Sequence, residues 1–268
     1  MPEISPKAVV EKTAQLADEV RVGPFAYIGP EARIGPGCVI DAGATVVGRT
    51  SLGAKCHVFP FAVIGADAGQ TGDGECLIGQ ANSIREHVTI CAGAETPTRI
   101  GDDNLIMIGC QIGRGAVIGN HCILTNCTQI EGLARIDDYV GTSAFTFVAA
   151  GAHVGSYTYI AGYAGVETNV PPYAMVQGFP ARVRGVNSNK LRRCGFGDED
   201  IRALKEAFRD LFNGDAEGPD ARALRRLEAD GSLNPHVRRV VEALGDKERS
   251  PSHGNSRLGG RTGEDPRR

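Results

Sequence analysis

A left-handed parallel β-helix of hexapeptide repeats, followed by a small α-helical carboxyl-terminal domain, is the fold class that this sequence predicts. Three observations lead there. Aliphatic residues recur at every sixth position from Ile4 to Val166, with two interruptions. Glycine supplies 36 of the 268 residues while tryptophan is absent, which leaves little material for a core of packed helices. The six-residue spacing then stops, and apolar residues at helical spacing take over.

The repeat series begins at Ile4 and runs through Val10, Leu16, Val22, Ile28, Ile34, Ile40, Val46, Leu52, Val58 and Ile64. A first loop, 65–77, interrupts it before Ile78, Ile84 and Ile90, and a second, 91–99, interrupts it before Ile100. From there it continues through Ile106, Ile112, Ile118, Leu124, Ile130, Ile136, Thr142, Val148, Val154, Ile160 and Val166, with Thr142 alone departing from an aliphatic. A helix has a period of 3.6 and a strand a period of two, so neither produces this pattern. A hexapeptide β-helix does: each hexad forms one flat face of a triangular coil, and each inward aliphatic stacks on its counterpart roughly 18 residues along.

Two other features follow the register. Glycine often succeeds the inward residue (Gly29, Gly35, Gly53, Gly65, Gly79, Gly101, Gly113, Gly119, Gly155), where a tight corner is expected to favour a residue without a Cβ. Cys38, Cys56, Cys110 and Cys122 lie four residues after an inward aliphatic, in a slot otherwise held by residues such as Ala26, Ala44 and Ala62, so they are expected to pack the core as reduced thiols. The 8 cysteines include no CxxC pair, and no Cys/His cluster has zinc spacing, so no metal and no cofactor is expected.

Beyond Val166, the segment NVPPYAMVQGFPARVRGVN has the prolines and glycines of a connector. Helices are expected from an Asp198 cap through about Phe212, from Asp220 to Ala229, and from Asn234 to Leu244 with Pro235 in its first turn. The organisation is therefore a β-helix over 1–187, a helical domain over 188–245, and a disordered tail over 246–268. A formal net charge of -3 argues against general nucleic-acid binding, and no apolar run is long enough to span a membrane. The start, MPEISPKAVVEKTAQ, has no basic region followed by an apolar stretch, so a cytoplasmic location is expected.

The order of loops, joint and helices, with SIREHVTI at 83–90, DNLIMIG at 103–109, DDY at 137–139 and GVNSNKLRRCGF at 185–196, resembles the UDP-N-acetylglucosamine O-acyltransferases of lipid A biosynthesis. The resemblance covers residues 1 to about 245. It implies transfer of a 3-hydroxyacyl group from acyl carrier protein to a glucosamine 3-hydroxyl, without a cofactor, by a homotrimer whose active site lies between neighbouring β-helices. The chemistry needs a base for the sugar hydroxyl and a donor for the oxyanion that forms on the thioester carbon. In the resembled family these are a histidine and a glycine N–H.

Carried over residue by residue, the catalytic histidine position falls on Arg114 and the histidine before it on Gln111. The oxyanion glycine falls on Gly132, which is retained, followed by Leu133 where the family has histidine. Two further histidine positions hold Cys91 and Ala149. At the nucleotide-sugar end, Asn187 and Arg193 match the family, whereas Cys194 stands in place of an arginine. Arginine offers donors only and stays protonated, so Arg114 cannot take a proton, although it can hold a phosphate or carboxylate. By register, Glu131 is the carboxylate nearest to Gly132 and the first candidate replacement base; His87 and His121 are others, and the Cys91 thiol, which opens the second loop, is a candidate nucleophile. The substrate-binding candidates are Gln111, Asn187 and Arg193. Two readings stay open at this point: an acyltransferase with an altered base, and a catalytically impaired paralogue that binds acyl carrier protein or nucleotide sugar. A zinc-dependent carbonic anhydrase, a third hexapeptide enzyme, is disfavoured by the missing histidine pair.

Overall fold

The computed structural model describes residues 1–66, 74–212 and 218–245; the tail expected over 246–268 lies outside them. Residues 3 to 166 wind into short strands, most of two residues, and each pairs in parallel with a strand of the next coil. Among the described residues the result is three sheets, the three faces of one parallel β-helix, with 9, 9 and 8 of these strands; two later strands extend the first sheet to 11. Within each pair of residues the first points outward and the second inward. In the strand Gln111–Ile112, for instance, Gln111 is exposed and Ile112 is buried. The second sheet stacks Ile90, Ile112, Ile130 and Val148 in one inward row and Thr89, Gln111, Gln129 and Phe147 in the outward row.

This stack is the core. Each fully buried isoleucine contributes roughly 1.5–3 kcal/mol by removing apolar surface from water. Ile4, in the first of the described coils, remains 44% exposed. Thr142, the one polar member of the inward row, is buried without being orphaned: its Oγ1 accepts from the Thr125 N–H at 2.9 Å and lies 2.8 Å from Thr128 Oγ1. Cys38, Cys56, Cys110 and Cys122 are free and buried, in the predicted small slots. Burial pushes the Cys110 thiol up to about 11 and the Cys122 thiol to about 12, so neither presents a thiolate at neutral pH.

The reason expected for the glycines is corrected by the structure. Of the nine that follow inward residues, only Gly65 has a left-handed φ, +80°. The left-handed corner falls two residues later and is held mostly by residues with side chains, such as Lys55 (φ 58°) and Phe61 (φ 61°). What excludes a Cβ at Gly53 is the next coil, where it would lie 2.6 Å from the carbonyl carbon of Gly79.

The joint is also more ordered than a connector. Ala174–Gln177 extends the first sheet, and Arg182–Val186 folds back against it antiparallel. A short helix that the sequence reading missed, α1 (Ser188–Arg193), follows directly. Three longer helices are α2 (Asp198–Leu211), α3 (Ala221–Glu228) and α4 (Pro235–Gly245). Asp198 is the first residue of α2 rather than its cap; Gly197 holds the cap position, and Asp198, Glu199 and Asp200 place negative charge in the first turn, where the helix dipole favours it. Asp220 caps α3 by accepting from the Arg222 and Ala223 N–H groups, each at 2.8 Å. The apolar stripe Ile201, Leu204, Phe208 and Leu211 is buried, as are Val237, Val240 and Val241 of α4. Among the described residues no helix is long and apolar enough to cross a membrane.

Candidate functional site

The chain leaves the second sheet at Ile112, turns through Gly113, Arg114 and Gly115, and enters the third sheet at Val117. Burial of Ile112 between Ile90 and Ile130 fixes the height of this turn on the stack. One coil along, Glu131, Gly132 and Leu133 make the equivalent turn, and the Leu133 N–H donates to the Arg114 carbonyl at 2.9 Å. The two turns touch: a Cβ built on Gly113 would stand 2.5 Å from the Gly132 nitrogen, and one on Gly132 would stand 3.1 Å from the Arg114 carbonyl oxygen. The Gly132 carbonyl accepts from the Gly151 N–H at 3.1 Å, whereas its own N–H takes no part in the coil-to-coil bonding among the described residues. That leaves a backbone donor at a half-buried position.

The second loop closes over these turns. The Thr98 hydroxyl donates to the Cys91 carbonyl at 2.7 Å and accepts from the Gly115 N–H at 2.9 Å, which ties the loop to the corner. Gly93 exchanges two backbone hydrogen bonds with Glu75, at 2.9 and 3.2 Å. Between loop and turns runs an open groove of about 390 Å³, whose lining includes Gly93, Glu95, Thr96, Arg114, Gly132 and Leu133. Arg114 and Gly132 are thus brought together, with Gln111 one position before Ile112 on the same coil and its Oε1 accepting from Gln129 Nε2 at 3.0 Å.

Other candidates lie elsewhere. Glu131 is exposed, and it is not among the groove-lining residues although Gly132 and Leu133 of the same turn are. His87 and His121 occupy the two other corners of the triangle, three residues past the inward residues Ile84 and Ile118. His87 stacks on Phe61 with centroids 5.5 Å apart, and His121 stacks on Tyr139 at 4.7 Å. Cys91 ends the strand Thr89–Cys91 and is half-buried. Asn187 is fixed at the helical end, where its Nδ2 donates to the Tyr157 carbonyl at 2.8 Å and its N–H to the Tyr173 carbonyl at 2.8 Å. Arg193 is exposed on α1, its Nε donating to the Asn189 carbonyl at 3.3 Å. Neither lines this groove. Among the described residues no group of three or more potential metal ligands forms.

Sequence reasoning missed two features. Glu95 and Thr96 reach the groove from a loop opened by Cys91, itself a lost histidine position, and that was the available signal. The second is a charged cluster under α4: His153 Nε2 lies 2.9 Å from Asp137 Oδ2, close enough for charge attraction although the approach is poorly angled for a hydrogen bond, and Arg135 Nε donates to Asp137 Oδ1 at 3.1 Å. The pairing of Arg135 with His153 in adjacent coils was visible as an 18-residue interval. Burial pushes the Asp137 carboxyl up, but His153 and Arg135 outweigh it and hold the group below the usual carboxylate range. A depressed folded value stabilises the native state above the unfolded carboxylate value of about 3.9, and that contribution is lost as pH falls through the folded value. Asp137→Asn is therefore expected to make urea stability less sensitive to acidification below about pH 4. Parallel losses in variant and native protein over that range would show that Asp137 carries no such linkage.

Comparison with known proteins places this geometry. Residues 169–252 match the family described as UDP N-acetylglucosamine O-acyltransferase, domain 2, and residues 13–48 and 97–132 match the six-repeat bacterial transferase hexapeptide family. The acyl-acyl-carrier-protein:UDP-N-acetylglucosamine O-acyltransferase of Pseudomonas putida is 36% identical over 244 residues, 88% of this chain and 94% of that protein. Its counterpart in Stutzerimonas stutzeri is 36% identical over 216 residues, covering 78% and 84%. A crystal structure of a UDP-N-acetylglucosamine acyltransferase from Bacteroides fragilis superposes with a TM-score of 0.83 at 33% identity, over 89% of this chain and 95% of that one. With identity above 30% across most of both lengths, and repeats, joint and helical end all matched, the chain belongs to the family of acyl-acyl-carrier-protein:UDP-N-acetylglucosamine O-acyltransferases.

Proposed function

We propose that this chain transfers a 3-hydroxyacyl group from acyl carrier protein to the 3-hydroxyl of UDP-N-acetylglucosamine or a related sugar, as a cytoplasmic homotrimer in lipid A biosynthesis. The observation that carries the reading is the Gly132 N–H, left out of the coil-to-coil bonding beside a groove, in a member of a family named for this transfer. In the reaction the sugar oxygen attacks the thioester carbonyl carbon, and the developing oxyanion accepts a hydrogen bond from Gly132. Arg114 supplies fixed positive charge and paired donors for a phosphate of either substrate. Gln111, on the same coil, contributes to binding of the acyl donor or sugar. Asn187 and Arg193 act at the helical end, and in a trimer they serve the nucleotide where a neighbouring copy supplies the second wall.

The test is direct: purified protein, UDP-N-acetylglucosamine, and 3-hydroxyacyl carrier proteins of several chain lengths, with acylated sugar nucleotide read by mass spectrometry. Enzyme-dependent product is expected for at least one chain length. No product across the series, with either substrate still bound in calorimetry, would overturn the reading.

A further inference from the structure

We propose that Glu95 is the proton acceptor of the transfer, an inference that rests on the acyltransferase reading above. The groove holds two ionisable side chains, Arg114 and Glu95. Guanidinium has no lone pair to offer a hydroxyl proton, and a threonine hydroxyl such as that of Thr96 is not basic. Within one protomer's groove, only the Glu95 carboxylate is left to accept the proton. Glu131 comes closer to Gly132 along the chain, but it is not part of the lining, and His87 and His121 stand on the other two corners.

The position of Glu95 is set by its anchors. On one side Gly93 is paired with Glu75, and a Cβ added to Gly93 would lie 2.7 Å from the Gly115 nitrogen. On the other, the backbone of Thr96 presses on the same turn, its carbonyl oxygen 3.1 Å from where a Gly115 Cβ would be. Thr98, fully buried, then binds the Gly115 N–H. Residues 93 to 98 thus rest on the residue next to Arg114, and Glu95, itself exposed, lines the groove between these anchors. Glu95 thereby shares the lining of one groove with Arg114 and Gly132.

The step balances without a further reactant. The Glu95 carboxylate takes the proton of the sugar hydroxyl as the C–O bond forms to the thioester carbonyl carbon. The tetrahedral intermediate collapses, the C–S bond breaks, and the pantetheine sulfur leaves with that proton returned from the Glu95 carboxylic acid. Ester and free thiol are the products, and the carboxylate is regenerated.

Glu95→Gln keeps the shape and removes the basic oxygen. It is expected to lower kcat by about 10²–10³-fold, within the span usual for general acid–base catalysis, with KM and the calorimetric Kd for UDP-N-acetylglucosamine changed by less than about threefold. The acid limb of the pH–rate profile should disappear with it, and Glu95→Asp should recover part of the rate. Turnover by the native protein with E95Q within about threefold of it would overturn the assignment and leave the transfer reading intact. Loss of substrate binding in E95Q in step with the loss of rate would overturn it in favour of a substrate-holding role. Removal of the acid limb by Glu131→Gln instead would move the base to Glu131. If the native protein forms no product while binding its substrates, the underlying reading fails and this inference with it.

Discussion

Replacing Ile112 with alanine is expected to lower the unfolding free energy by about 2–5 kcal/mol, while Ile112→Val lowers it by only about 0.5–1.5 kcal/mol. Ile112 is 1% exposed and stacked between Ile90 and Ile130. Truncation removes apolar transfer energy and also leaves a gap that the stack cannot close, because each coil is held to the next by backbone hydrogen bonds such as Gly113 N–H to the Ile130 carbonyl at 2.7 Å. Urea unfolding at a fixed protein concentration reads the effect, since association of copies would itself add stability. A loss under 1 kcal/mol for the alanine variant would mean that the coils move together to fill the gap. The groove turn would then be softer than its hydrogen bonding implies.

Gly113→Ala is expected to cost activity out of proportion to stability. The added Cβ would stand 2.5 Å from the Gly132 nitrogen and 2.7 Å from the Glu131 carbonyl carbon, both main-chain atoms that cannot rotate away. The two turns must separate, which costs about 1–3 kcal/mol as overpacking and displaces the proposed oxyanion donor. A displacement approaching 1 Å at a reacting centre is worth on the order of 100-fold in rate. A fall in kcat of that order, in protein that still unfolds cooperatively, is the expected result. Gly231→Ala is the comparison, because a Cβ there meets nothing within 4 Å. Equal kcat for G113A and native protein would show that the Gly132 N–H is not part of the chemistry.

Much of the fold is legible in the sequence. The inward row from Ile28 to Ile136 is buried as the six-residue period requires, and the cysteine slots follow the same register. The glycines were located correctly, but apart from Gly65, whose φ is left-handed, the tight corner is not the cause: at Gly53 it is contact with the next coil that excludes a side chain. That contact is invisible along the chain, because Gly53 and Gly79 are separated by a loop. The hairpin of Ala174–Gln177 with Arg182–Val186 was read as a connector because its pairing is antiparallel and breaks the period. At the site, register alone put Arg114 beside Gly132. It also made Glu131 the nearest carboxylate, since distance along the stack says nothing about which side chains line a groove.

The division has a physical basis. A repeat with a constant rise per coil converts sequence interval into height and face, so the amino-acid order alone settles which residues point inward, which turn Arg114 occupies, and that it sits one coil from Gly132. Loop 91–99 has no such rule. Its path depends on Thr98 reaching the Gly115 N–H and on Gly93 pairing with Glu75, hydrogen bonds between segments that the period does not relate. The arrival of Glu95 in the groove with Arg114 and Gly132 was therefore decided by tertiary packing, as was the meeting of His153 with Asp137 beneath α4.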